Sequence, residues 1–241
     1  HCTGSLRVPL VSFCATLFCT TSALTSQSQK QLFDLKGGAK SGSLTIAAVG
    51  DVNRDGFDDI VVGDPDDGLQ GPTTGSVRVF SGSTGRLLFL LLGPPSVQRF
   101  GQAVNSAGDV DRDGHPDIVV GGTAHASVFS GKSGQRLYEL KKPVHASRGF
   151  GINVSTAGDV NRDQHDDLVI GDHDGNMVHV FSGKNQQLLR SIRGPTNSAL
   201  FGLTVGNAGD ANNDGHSDIV VGTPIGPTRS GYVAVHSGKD A

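Results

Sequence analysis

At 241 residues, with 35 glycines, no tryptophan and 5% aromatic side chains, the chain can bury a core and suits many tight turns and short strands. Its formal charge of −3 and the lack of any basic run exclude a nucleic-acid footprint. The three cysteines, Cys2, Cys14 and Cys19, all precede residue 20, which excludes a disulfide framework or a cysteine–zinc site from the rest of the chain.

In chain order, residues 6–23 come first. Arg7 precedes an apolar run of roughly a dozen residues that closes on small residues at Ala23. This is the pattern of a secretory signal peptide, so residues 1–24 are expected to be a signal-like segment, too short to span a bilayer. A hydrophobic strand retained for assembly is the alternative. The rest, 25–241, is expected to be one repeat domain. Residues 31–36 open it and read like the segment Arg86 to Gly93, a candidate strand.

From there the chain repeats itself. Aligned on Asp51, Asp109, Asp159 and Asp210, the units are spaced by 58, 50 and 51 residues and fall at about 37–93, 94–143, 144–194 and 195–241. Each opens with an alternating apolar segment, continues through an acidic loop and enters a β-branched run ending in glycine, such as Ile118-Val119-Val120-Gly121. A third segment ends in a shared turn, Val77 to Gly82 in the first unit, and a fourth follows in three units, as in Arg86 to Leu92. Four short strands per unit of about 50 residues predict propeller blades, and no window supports a long amphipathic helix. The last unit stops after its third strand. Residues 31–36 are therefore expected to complete it, pairing Leu32 to Leu35 beside Val233 to His236 of the same chain or of a neighbouring copy. Closing strand or not, the ring is either four-bladed or part of a larger one.

The acidic loops carry the chemistry. Of 23 aspartates and glutamates, 13 sit in four copies of D-x-[DN]-x-D-x-x-x-D. The copies are Asp51, Asn53, Asp55, Asp59; Asp109, Asp111, Asp113, Asp117; Asp159, Asn161, Asp163, Asp167; and Asp210, Asn212, Asp214, Asp218. Oxygens at alternate positions of a tight loop converge, and carboxylates this close repel unless a cation lies among them. The seventh position, Phe57, His115, His165 or His216, would add its main-chain carbonyl. An all-oxygen shell selects Ca²⁺ over zinc or copper, so up to four calcium ions are expected. Position twelve is Val62, Val120, Ile170 or Val221 inside a strand, not the glutamate of an EF-hand.

Phe100-Gly101, Phe150-Gly151 and Phe201-Gly202 each stand nine residues before the first loop aspartate, and Gly63-Asp64-Pro65 and Gly222-Thr223-Pro224 follow the β-branched runs. With these marks the chain resembles FG-GAP repeat proteins, the calcium-binding blades of integrin α-chain propellers and of bacterial surface proteins, over residues 31–241. The first unit departs with Gly42-Ser43 for Phe-Gly, and the second and third with Gly122-Thr123 and Asp172-His173 for Ala-Pro. The resemblance implies an all-β, four-bladed FG-GAP propeller, secreted or at the cell surface. It further implies a non-catalytic adhesion module that binds a protein or carbohydrate ligand. A structural subunit joined by strand exchange through its N-terminal segment is the second expectation, and an enzyme using the propeller face the third.

Other signals are weaker. Gly131-Lys132-Ser133 lacks the earlier glycine of a phosphate-binding loop, with Ala126 in its place, and no nucleophile elbow is present. Asn153-Val154-Ser155 is a glycosylation sequon, with Asn153 the acceptor.

Overall fold

Four β-sheets follow one another along the chain in a computed structural model that describes residues 31–35, 42–196, 198–228 and 230–239. The signal-like segment 1–24 lies outside the described residues. The chain divides into two units, His1–Leu32 and Phe33–Ala241. Of the first only Gln31 and Leu32 are described, without regular structure.

The second unit is all-β. Its first sheet takes β1 (Thr45–Gly50), β2 (Asp59–Asp64), β3 (Ser76–Phe80) and β4 (Leu87–Leu92) in that order, every neighbour antiparallel. The second repeats it with β5 (Ala103–Gly108), β6 (Asp117–Gly122), β7 (His125–Phe129) and β8 (Arg136–Glu139). The third has β9 (Phe150–Gly158), β10 (Asp167–Asp172), β11 (Met177–Phe181) and β12 (Leu188–Arg193), with one 3-10 turn at His173–Gly175. The fourth has three strands, β13 (Thr204–Gly209), β14 (Asp218–Thr223) and β15 (Tyr232–His236). Sequential meanders of this kind are propeller blades, as the repeat pattern predicts. Among the described residues no helix is long and apolar enough to cross a membrane.

Period-two alternation puts one apolar row on each face of a blade, and the rows of successive blades meet. Val61, Val77 and Val79 of the first blade pack with Val104, Ile118 and Val120 of the second. The same positions meet at the second-to-third and third-to-fourth interfaces. Each interface is plugged by the phenylalanine of a Phe-Gly pair: Phe100, Phe150 and Phe201 are fully buried. Phe100 and Phe150 set their rings edge-to-face on Phe129 and Phe181, at 5.8 and 6.1 Å. The paired glycine passes so close to the preceding blade that the glycine ending the β-branched run has no room for a side chain. A Cβ on Gly63, Gly121 or Gly171 would overlap the carbonyl of Gly101, Gly151 or Gly202. The two halves of the Phe-Gly and Gly-Ala-Pro marks are thus one contact between neighbouring blades.

The blades do not close into a ring. Val77, Val79, Val178 and Val180 are fully buried, whereas the equivalent Val233 and Val235 of the fourth blade are 67% and 56% exposed. On the opposite end Ile46 is 74% exposed, where its counterpart Val154 is 2%. Within this single chain, residues 31–35 form no strand. The Phe33 ring lies against Gly85 in the turn between β3 and β4 of the first blade. Phe89 of β4 covers Gly134 of the second blade in the same way. Phe33 therefore stands to the first blade as Phe89 stands to the second, which accounts for the likeness of its surroundings to Arg86 to Gly93. Lys36 lies outside the described residues.

The plugs yield a direct test. Phe150→Ala should lower the unfolding free energy in urea by about 3–5 kcal/mol, because a buried ring is removed from a packed interface. Phe57→Ala, at a position 59% exposed, should change it by no more than about 0.5 kcal/mol.

Candidate metal centre

All four acidic loops connect the first and second strands of a blade, and the ninth-position aspartate is the first residue of the second strand. Asp59, Asp117, Asp167 and Asp218 are buried there. One carboxylate oxygen of each receives the N–H of the loop's second residue: Val52 at 2.9 Å, Val110 at 3.0 Å, Val160 at 3.0 Å and Ala211 at 2.9 Å. The other receives the N–H of the turn glycine after the third strand: Gly82 at 2.9 Å, Gly131 at 3.0 Å, Gly183 at 3.1 Å and Gly238 at 2.9 Å.

The outer positions wrap the loop around these carboxylates. In the second loop Asp109 accepts the N–H groups of Asp113 and Gly114 at 3.1 and 2.9 Å, Asp111 accepts Asp113 at 3.1 Å, and Asp113 accepts His115 at 2.9 Å. The first, third and fourth loops repeat the scheme, with the oxygen of Asn53, Asn161 or Asn212 in the place of Asp111. One oxygen each of Asp109, Asp111 and Asp117 come within 4.8 Å of one another. Among the described residues this is the one such group of three carboxylates, and Asp113 is not part of it; what all four loops share is the hydrogen-bond scheme.

Like charges at this spacing leave an electrostatic mark. Burial pushes Asp117 up to about 7 against the N–H groups of Gly131 and Val110, with the charges of Asp111 and Asp109 adding to the rise. Asp167 is likewise pushed up to about 7, by burial and then by Asp163, against three backbone N–H donors. Asp59 is raised by burial, again against N–H donors. Exposed Asp55 is lowered instead, chiefly by the Ser83 hydroxyl, which donates to it at 2.6 Å. The donor set of carboxylates, amide oxygens and a main-chain carbonyl fits a hard divalent cation, which would hold the buried carboxylates ionised.

The sixth position needs a left-handed backbone. Gly56, Gly114 and Gly215 have φ of +89°, +83° and +85°, and Gln164 takes +68°. The side-chain oxygen of Gln164 accepts Arg112 at 3.3 Å. Three features escaped the sequence pattern. The turn glycines belong to the centre, and their signal was the recurrent Ser-Gly at 81–82, 130–131, 182–183 and 237–238. The rings of His115, His165 and His216 are engaged across blades. Arg54 of the first loop donates to the Gly114 carbonyl of the second at 2.6 Å. Asn153, the sequon asparagine, lies half-buried in β9, and its side-chain oxygen accepts the Val205 N–H of the next blade at 3.1 Å.

With four loops of one geometry in sequential blades, the relevant comparison is with repeat families. The FG-GAP-like repeat matches at residues 51–120, 109–170 and 159–221, together more than half of the chain. The chain belongs to the FG-GAP repeat family. Each match runs from the loop of one blade to the second strand of the next, so the FG-GAP unit here spans an interface. Among curated relatives, integrin alpha-3 of Cricetulus griseus is 38% identical over 86 residues, 32% of this chain and 8% of its own length. Integrin alpha-6 of Homo sapiens is 38% identical over 96 residues, 38% of this chain and 8% of its length. Integrin alpha pat-2 of Caenorhabditis briggsae is 36% identical over 108 residues, 42% of this chain and again 8% of its length. The chain thus spans less than a tenth of the length of the relatives it matches.

The turn glycines make the centre testable. A Cβ on Gly183 would overlap the Asp166 carbonyl. Gly183→Ala should therefore cost about 1–3 kcal/mol in thermal melts, since the backbone beside Asp167 must shift. Gly206→Ala, where a Cβ would find only an ordinary contact with Val220 at 3.4 Å, should stay within about 0.5 kcal/mol.

Proposed function

We propose that the chain is an extracellular calcium-binding FG-GAP propeller module that is non-catalytic and serves adhesion by binding a protein or carbohydrate ligand. The observation that supports the calcium reading is the fourfold recurrence of one buried aspartate, held by at least two backbone N–H groups at the base of a loop whose first, third and fifth positions carry oxygen-bearing side chains. In this reading Asp51, Asn53, Asp55 and Asp59, with their counterparts in the other loops, supply side-chain oxygens. Phe57, His115, His165 and His216 supply carbonyls. The bound ion would supply the charge that keeps Asp117 and Asp167 ionised. Support for adhesion and for an extracellular setting is the resemblance to chains named integrin alpha.

Two measurements check this reading. Excess chelator should lower the melting temperature by about 10 °C or more, because ions bound only to the folded state stabilise it by mass action. An unchanged melt would refute the structural role of calcium. The loops should also differ in affinity. The second, with four carboxylates, should bind most tightly, and the third, with Gln164 at a left-handed position, most weakly. Gln164→Gly should then tighten the third loop by about 1 kcal/mol in calorimetry and leave the second unchanged.

A further inference from the structure

Neighbouring loops are hydrogen-bonded to each other by the same positions at all three blade interfaces. The imidazole Nδ1 of His115 donates to the Val52 carbonyl, that of His165 to Val110 and that of His216 to Val160, each at 2.7 Å. Each valine is the second residue of the preceding loop, whose N–H already holds the buried ninth-position carboxylate of its own loop. One residue thus grips its own carboxylate through its N–H while the next loop's imidazole grips its carbonyl. A return link runs forward in the first interface: Arg54 donates to the Gly114 carbonyl, and the Gly114 N–H donates to Asp109.

We propose that His115, His165 and His216 are positioning residues that set the calcium affinity of the loop before their own, so that the loops fill as a coupled series. The proposal rests on reading the loops as calcium sites. A carboxylate binds an ion well when little ordering remains to be done, and the imidazole does part of that ordering by fixing the peptide that holds it. Calcium in the later loop would fix the histidine's own backbone, since in that reading the seventh carbonyl is one of its ligands. Linkage then makes the effect mutual between the two loops. The first loop carries Phe57 at this position, 59% exposed, so a phenylalanine is compatible with the loop's own backbone turn while lacking the imidazole donor.

Site-resolved titration separates this effect from a general loss of stability. The amides of Gly82, Gly131, Gly183 and Gly238 each donate to one ninth-position aspartate and so report one loop apiece. In a calcium titration followed by ¹⁵N NMR, His165→Phe should move the midpoint at Gly131, one loop back, to about fivefold higher calcium, the effect of losing one hydrogen bond. Gly238 should keep its midpoint. His115→Phe should move the effect to Gly82. A shift confined to Gly183, an equal shift at all four amides, or no shift at Gly131 would each overturn the proposal. Wild-type amides that ignore calcium altogether would overturn the calcium reading, and this inference with it.

Discussion

The ninth-position aspartate is the residue on which each blade depends. It begins the second strand, yet its side chain ties the start of the loop to the turn after the third strand. Asp117, for example, holds Val110 on one side and Gly131 on the other. Three strand ends are thereby fixed by one carboxylate buried among like charges. Backbone N–H donors, two at Asp117 and three at Asp167, compensate a buried anion only partly, which is why burial still raises both to about 7. The same centre that orders the blade therefore has the strongest reason to bind a cation.

Blade packing meets a second constraint, close backbone approach, by means that depend on glycine. Phe100 fills the apolar gap between the first two blades, while Gly101 lets the chain cross over Gly63 with no side chain on either residue. The plug and the crossing must occur together, because moving the crossing outward would withdraw the ring from its pocket. This couples two motifs almost 40 residues apart and accounts for a repeat unit that straddles the interface. The second and third blades omit the Ala-Pro after that glycine, and their interfaces are still plugged by fully buried Phe150 and Phe201. The glycine and the phenylalanine carry the contact.

Local signals explain what could be read from the sequence. Repeated β-branched runs and alternating oxygens mark strands and loops because each depends on neighbours within a few residues, and the strands formed where those patterns lie. Contacts between units left fainter traces. A histidine at the seventh position reads as a carbonyl donor in its own loop, and nothing local says that its ring reaches a valine 55 to 63 residues earlier. Residues 31–36 resemble an outer strand, and Phe33 stands against Gly85 of the first blade as Phe89 stands against Gly134 of the second. Side-chain similarity identifies the role of a strand without identifying the blade it serves. The Asn153 tripeptide is likewise silent on the contact its side-chain oxygen makes with the next blade.

The loop cations complete the electrostatic logic. Three arginines, Arg54, Arg112 and Arg162, stand at the fourth position, one in each of the first three loops, among the 13 pattern carboxylates. A guanidinium beside a carboxylate would ordinarily form a bidentate pair and consume the oxygens a metal ion needs. Here Arg54 donates to the carbonyls of Gly114 and Asp113, and Arg112 to the amide oxygen of Gln164, all neutral acceptors. Arg54 and Arg112 thereby join adjacent loops through neutral acceptors, bringing positive charge to the acidic end of the blades. The left-handed backbone at the fourth position, φ of 57°, 60° and 61°, aims them forward along the chain. At the fourth loop the position becomes Asn213, φ 58°, a residue that tolerates this conformation and has a side chain too short to reach a following blade.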